Sequence, residues 1–280
     1  MKMPTSPKKT LTPRATIPTA PAKKFTSATY ETNTPERVLL YADSGMGKSS
    51  LAMLAPKPVF IALDEGVSKL RHPVTGAPAD YIPGVETFQD VRAVLHQLDL
   101  FDPFETVVID TVTKMQDLAE PYVCQTIPKE NDGGRVTSLV GYGYNKGYKH
   151  LYDVMRLILA DCDELIRRGK NVILIAQASP HTIANPGGLD FLRDGPRLHI
   201  DKSWSIEAMY CEWADHVLRI DYTGVFVDKD KKVGGDTERA IYVKPELYFR
   251  AKSRTIDEPI ISFRDKADDN IWKFIFGEDK

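Results

Sequence analysis

The sequence predicts an α/β fold: a mostly parallel twisted sheet flanked by helices, with antiparallel strands added at its C-terminal side. Three observations lead there. Short apolar runs alternate with longer amphipathic stretches, the rhythm of strand, helix and strand. After Gly224 that rhythm gives way to strands and turns. The chain has 280 residues, 42% of them apolar and 27% charged, which is ample for one large core.

In order, residues 1–34 are expected to be a disordered basic tail and linker, and 35–280 the folded core. The first 24 residues are rich in Pro, Thr and Ala, carry six Lys or Arg and no acid, and cannot bury enough apolar surface to order themselves. "RVLLYA" (37–42) is the first buried strand, and "KSSLAMLA" (48–55) a helix that stops before Pro56. "PVFIALD" (58–64) is the second strand. "TFQDVRAVLHQLDLF" (87–101) is an amphipathic helix, its Thr87 and Asp90 spaced as a capping box. "FETVVIDT" (104–111) is the third strand, followed by a helix-like stretch from Val112 up to Pro121. "KGYKHLYDVMRLILADCDELIRRG" (146–169) is a long helix ended by Gly169, and "NVILIAQ" (171–177) a fourth strand. "SWSIEAMYCEWAD" (203–215) is a helix and "HVLRIDY" (216–222) a strand. "VFVDKDKKVGGD", "RAIYVKP", "LYFRAKS" and "PIISF" supply the antiparallel extension.

Bulk properties exclude several classes. With a net charge of −2 the chain as a whole is no trap for nucleic acid, so any such contact must come from a local patch. No apolar run approaches the ~18–20 residues that span a bilayer, and no signal-peptide h-region is present. Cys124, Cys162 and Cys211 have neither metal-ligand spacing nor a disulfide framework. The expected location is the cytoplasm, with no membrane partner.

The chemistry starts at "YADSGMGKSS" (41–50), which follows a strand and opens a helix, as a phosphate-binding loop must. Ser44, Gly45, Met46 and Gly47 would turn their backbone N–H groups around the phosphates, with Ser50 beside them. Lys48 would reach the β/γ-phosphates and Ser49 would hold Mg²⁺. Ala42 stands where stricter versions of the loop carry glycine, and fits if its φ is negative. Asp110, at the carboxyl end of an apolar strand, is the acid expected opposite Ser49. ATP and Mg²⁺ are therefore the expected ligands.

Three further features surround the loop. The second strand runs into Asp64-Glu65-Gly66, a carboxylate placed to polarise an attacking water. The fourth ends in Gln177, a polar group able to sense the γ-phosphate. In "FRAKSRT", Lys252 and Arg254 alternate and would share one strand face. By themselves these two read as a solvated strand face.

In this order the motifs "GMGKSS", "DEG", "VVID", "LIAQ" and "AKSR" resemble the core of the RecA/RadA recombinases over roughly residues 35–265. More narrowly, they resemble the short phage-borne recombinases of the Sak type, associated with single-strand annealing. The resemblance implies a RecA-like P-loop ATPase core, in which Glu65 activates water (Asp64 is the second choice). It implies that Gln177 couples the γ-phosphate to a DNA loop, and that Lys252 and Arg254 act across a subunit boundary on the neighbour's ATP. It also implies two DNA-holding loops. The first is residues 128–150, with Arg135, Lys146, Lys149 and the tyrosines 142, 144 and 148, although Tyr148 and Tyr152 read better as packing beneath the helix. The second is the long segment 178–202, with His181, Arg193, Arg197 and Lys202, interrupted by Asp190 and Asp194. Phe25 and Ala28 have the Phe-x-x-Ala spacing of an oligomerisation segment. The expected partners are single-stranded DNA, further copies of the chain in a filament or ring, and a single-strand-binding protein. The expected activity is DNA-dependent ATP hydrolysis in strand annealing or exchange. A RecA-like helicase or helicase loader is the alternative, and a small-molecule kinase ranks lower because the segment after Gln177 has few arginines.

Overall fold

Continuous Val, Ile and Leu runs suit strands covered on both faces, and the computed structural model places them so. It describes residues 34–130, 133–227 and 233–277; the side chains of Glu65 and of residues 225–236 lie outside that description. The tail, with Phe25 and Ala28, also lies outside it.

Among the described residues nine strands make one sheet. They are β1 (Arg37–Ala42), β2 (Pro58–Ala62), β3 (Asp80–Ile82), β4 (Thr106–Asp110), β5 (Asn171–Ile183), β6 (Phe191–Pro196), β7 (His216–Val227), β8 (Val233–Tyr242) and β9 (Ile260–Ser262). Their order is β3-β2-β4-β5-β1-β7-β8-β9, with β6 paired to the outer half of β5. From β3 to β7 all pairs are parallel, and β7–β8, β8–β9 and β5–β6 are antiparallel. This is the expected fold class.

Alternation along each strand separates two cores. Leu39, Tyr41, Val59, Ile61, Val107, Ile109, Val172 and Leu174 face one side. There they meet α2 (Phe88–His96), α3 (Val112–Thr126), α4 (Lys146–Arg167) and α5 (Ile206–Trp213). Val38, Leu40, Phe60, Val108, Ile173 and Ile175 face the other, under α1 (Lys48–Ala52) and α6 (Asn270–Phe276). On α4, Leu151, Met155, Ile158, Cys162 and Leu165 repeat every three or four residues, so one stripe is buried. Cys124, Cys162 and Cys211 are all buried free thiols.

Several elements differ from expectation. The helix expected over 87–101 ends at His96, before a 3₁₀ turn, Leu98–Phe101, and β3 was not expected. The first helix is one turn and a half, ending at Ala52, because its last turn tightens into i→i+3 bonds ahead of Pro56. The third runs through Pro121 to Thr126. Pro121 lies on the exposed face, where the carbonyl it leaves unpaired meets water, while Ala119, Val123 and Cys124 hold the turn against the core. Residues 247–253 form no strand of their own and pair with the sheet's main chain only through isolated bridges such as Val217–Lys252. The fourth strand continues past Gln177 to Ile183 and returns as β6, so the expected second loop is a hairpin, turning near Gly187 and Gly188.

Candidate active site

Strand β1 delivers its chain end to the top of the sheet beside β5, with Ala42 opposite Gln177. Ala42 is 1% exposed and is not among the residues of positive φ, so alanine fits there as a β-region residue. The turn's tight points fall on Gly45 (φ 81°) and Gly47 (φ 98°), where a Cβ would be strained. At Gly47 it would also meet the Phe263 ring at 3.2 Å.

Around this loop lies a cavity of about 380 Å³. Ser44, Gly45, Gly47, Lys48, Ser49, Ser50, Asp110 and Gln177 line it, joined by Asp64 from the end of β2. Met46 is instead buried, and only its main chain faces the loop. The Lys48 ammonium donates to the carbonyls of Ala42 (2.9 Å) and Asp43 (2.8 Å) and to Gln177 Oε1 (3.0 Å). All three acceptors are formally neutral, and a phosphate oxygen would be a stronger one. Burial lowers the Lys48 pKa to about 8, partly offset by Asp110 and Asp43. Burial pushes Asp110 up to about 6 against the hydrogen bond from Ser49, with the Asp64 charge adding to the rise. Bringing a cation to Asp110 and an anion to Lys48 relieves both penalties.

Ser49 Oγ donates to Asp110 Oδ2 at 2.6 Å. A hydroxyl and a carboxylate are the hard oxygen donors that Mg²⁺ takes when substrate phosphates complete its shell, so the residues fit the ion. Held there, Mg²⁺ would neutralise charge on the phosphates and hold them in line. The Asp64 carboxylate is exposed and accepts from Gly66 N at 2.9 Å. Glu65 opens a 3₁₀ turn, Glu65–Lys69, and its side chain lies outside the described residues.

Gln177 is held from three directions. Its main-chain N–H donates to Thr113 Oγ1 on α3 (3.0 Å), its carbonyl accepts from Arg197 N (2.7 Å), and its side chain accepts from Lys48. Thr113, Arg239 and Lys266 were not expected at this site. Thr113 lies in the first turn of α3, three residues after Asp110, close enough in sequence for the strand-end acid to point to it. Arg239 and Lys266 come from far down the chain, and no local pattern ties them to the loop.

The other expected residues are dispersed. Lys252 Nζ lies on the carbonyls of Cys211 and Glu212 (both 3.1 Å) and of Ala214, closing the C-terminus of α5. Arg254 is 60% exposed and pairs with Asp215 at 2.8 Å. The two do not form a shared strand face. In the first loop Arg135 is exposed and Lys146 pairs with Glu130 at 2.5 Å. Tyr142 donates to the carbonyls of Val123 and Ile127, and Tyr148 stacks on His199 at 4.3 Å, whereas Tyr144 is 99% exposed. His181 and Arg193 oppose each other across the hairpin, and Arg197 and Lys202 are exposed beyond it. Asp194 turns inward to Arg219 at 3.0 Å and so does not interrupt the outer face.

Among the described residues no helix is long and apolar enough to cross a membrane. No curated protein matches the chain. Solved structures similar to it include a KaiC-like protein from Pyrococcus horikoshii OT3, 14% identical, with a TM-score of 0.41 over 82% of this chain and 91% of that one. Another is the flagellar accessory protein FlaH from Methanocaldococcus jannaschii, 12% identical, with a TM-score of 0.42 over 82% of this chain and 86% of that one. The AAA domain family matches residues 34–255, which takes in the loop, Asp110, Gln177 and Arg254. With the phosphate loop's chemistry in place, the chain belongs to the AAA domain family and is a nucleotide-dependent ATPase.

Proposed function

We propose that this ATPase is a single-stranded-DNA-binding recombinase, working as a homo-oligomeric filament or ring in which ATP hydrolysis switches DNA affinity. The observation that carries the reading is the position of Gln177. It is the last residue of β5 paired within the parallel sheet, the acceptor of Lys48, and the point where the β5–β6 hairpin begins. Arg197 N, just after the hairpin's return strand, bonds the same residue. A phosphate that draws Lys48 away frees the Gln177 side chain at the hairpin's root. His181, Arg193 and Arg197 on and beside the hairpin are the cations offered to DNA phosphates. Glu65 is the proposed water-activating base, by its place at the tip of β2.

The cross-subunit role falls to Arg254. Lys252 is engaged by α5, whereas Arg254 holds only a surface ion pair of the kind that exchanges cheaply.

The test is ATP turnover with and without single-stranded DNA, alongside DNA affinity with and without ATP, for wild type, Lys48→Ala and Glu65→Gln. Lys48→Ala should lose nucleotide binding. Glu65→Gln should keep ATP and DNA binding while turnover drops at least about a hundredfold. Turnover indifferent to DNA, together with DNA affinity indifferent to ATP, sinks the proposal. ATP-driven unwinding without annealing or exchange would point to a helicase instead.

A further inference from the structure

The loop cavity has a second cationic wall. Arg239 of β8 and Lys266, just after β9, line the same space as Lys48, Asp64 and Asp110. Among the described residues neither forms an ion pair with a carboxylate, although Asp64 and Asp110 line the same cavity. Arg239 is nonetheless held in position. Its guanidinium lies over the Phe263 ring at 4.7 Å, and its Nη1 donates to the Met46 carbonyl at 2.8 Å. Its main-chain carbonyl accepts from Phe263 N at 3.1 Å, and Phe263 is fully buried. The guanidinium lies so close to the loop that a Cβ on Gly47 would be 2.9 Å from Nη1. One of its five donors is spent on a neutral carbonyl, and the planar fork has others to offer an anion.

We infer that Arg239, assisted by Lys266, binds the nucleotide's phosphates within the same subunit. The C-terminal antiparallel strands would then form part of the ATP site rather than only cover it. The inference rests on reading this cavity as an ATP site, and names a ligand group for residues that reading leaves unused. It is separate from the cross-subunit role of Arg254, which pairs with Asp215 just before β7. Arg239 would exchange the Met46 carbonyl for a phosphate oxygen, a charge-assisted bond in place of a weaker one.

Calorimetric titration of ATP and ADP with Mg²⁺ into the full chain tests this, using Arg239→Gln, Arg239→Lys and Lys266→Ala. Gln keeps a polar amide without the charge and Lys keeps the charge without the fork, so the two variants together separate support of the loop from attraction of phosphate. Arg239→Gln should weaken both nucleotides about tenfold. Arg239→Lys should stay within about threefold of wild type, and both proteins should melt within about 2 °C of it. Lys266→Ala, at an exposed position, should weaken binding about threefold and stands in if either Arg239 variant misfolds. Wild-type affinity in Arg239→Gln overturns the inference while leaving the ATP site intact. Equal losses in Arg239→Gln and Arg239→Lys, accompanied by a lower melting temperature, overturn it in favour of a structural role. A wild type that binds no ATP removes the ATP-site reading itself, and the inference with it.

Discussion

Asp110 is 4% exposed and ends a fully buried strand, and its pKa of about 6 shows what that position costs. A carboxyl whose folded pKa lies above its ordinary value binds its proton more tightly when folded, so ionising it opposes folding. The cost is absent below about pH 4, grows through pH 6 and is complete above it. Asp110→Asn keeps the polar contact to Ser49 without the charge. At pH 8 it should be more stable by on the order of 3 kcal/mol, seen as a melting temperature roughly 6 °C higher, while ATP turnover falls at least about a hundredfold. The stability difference should shrink as pH drops from 6 to 4; a difference that stays constant with pH would mean that ionisation is not its source. The loop around Asp110 was legible because its glycines, lysine and serine are contiguous and their chemistry is local. Arg239 was not, since only the pairing of β7 with β8 and of β8 with β9 brings it to the loop.

Among the elements, the β5–β6 hairpin departs most from the sequence pattern. Pro180, Pro196 and Gly195 argue against a strand, yet they lie where the hairpin runs beyond the parallel sheet, and edge pairing tolerates the missing N–H groups. Its base is fixed by ion pairs that no local pattern announces. Asp194 meets Arg219, and Arg250 meets Glu207, which is fully buried on α5. Burial raises the Glu207 pKa, and Arg250 opposes the rise. Arg250→Ala should destabilise the protein by on the order of 3 kcal/mol by urea denaturation at pH 8.5. The loss should be smaller when the measurement is repeated at pH 6, the direction set by burial raising the Glu207 pKa once its cation is gone. A loss equal at both pH values would show that Arg250 acts through packing alone. By contrast the start of α2 was readable to the residue: Thr87 Oγ1 accepts from Asp90 N, and Asp90 accepts from Thr87 N, closing the expected capping box.

For the whole molecule, the proposal requires one copy's Arg254 to reach the next copy's ATP. Lys252 and Arg254, only two residues apart, should then behave differently. Lys252→Ala removes the ammonium from three carbonyls at the end of α5 and should lower stability by about 1–2 kcal/mol in urea. Arg254→Ala loses only a surface pair and should change stability by less than about 1 kcal/mol. Its turnover should nevertheless fall at least about tenfold. Mixing Arg254→Ala with Glu65→Gln should restore part of the activity, because mixed assemblies contain interfaces with both groups intact. Arg254→Ala turning over at the wild-type rate would remove the cross-subunit role.

The amino-acid sequence by itself determined the α/β class, most of the succession of strands and helices, and the phosphate loop with its lysine, serine and strand-end acid. Those follow from periodicity and from groups that act within a few residues of one another. Tertiary structure decided the strand order, the hairpin beyond Gln177, the engagement of Lys252 by α5, and the arrival of Arg239 and Lys266 at the loop. Each depends on contacts between distant residues, whose energies come from burial and pairing in the assembled sheet and leave no trace in local spacing.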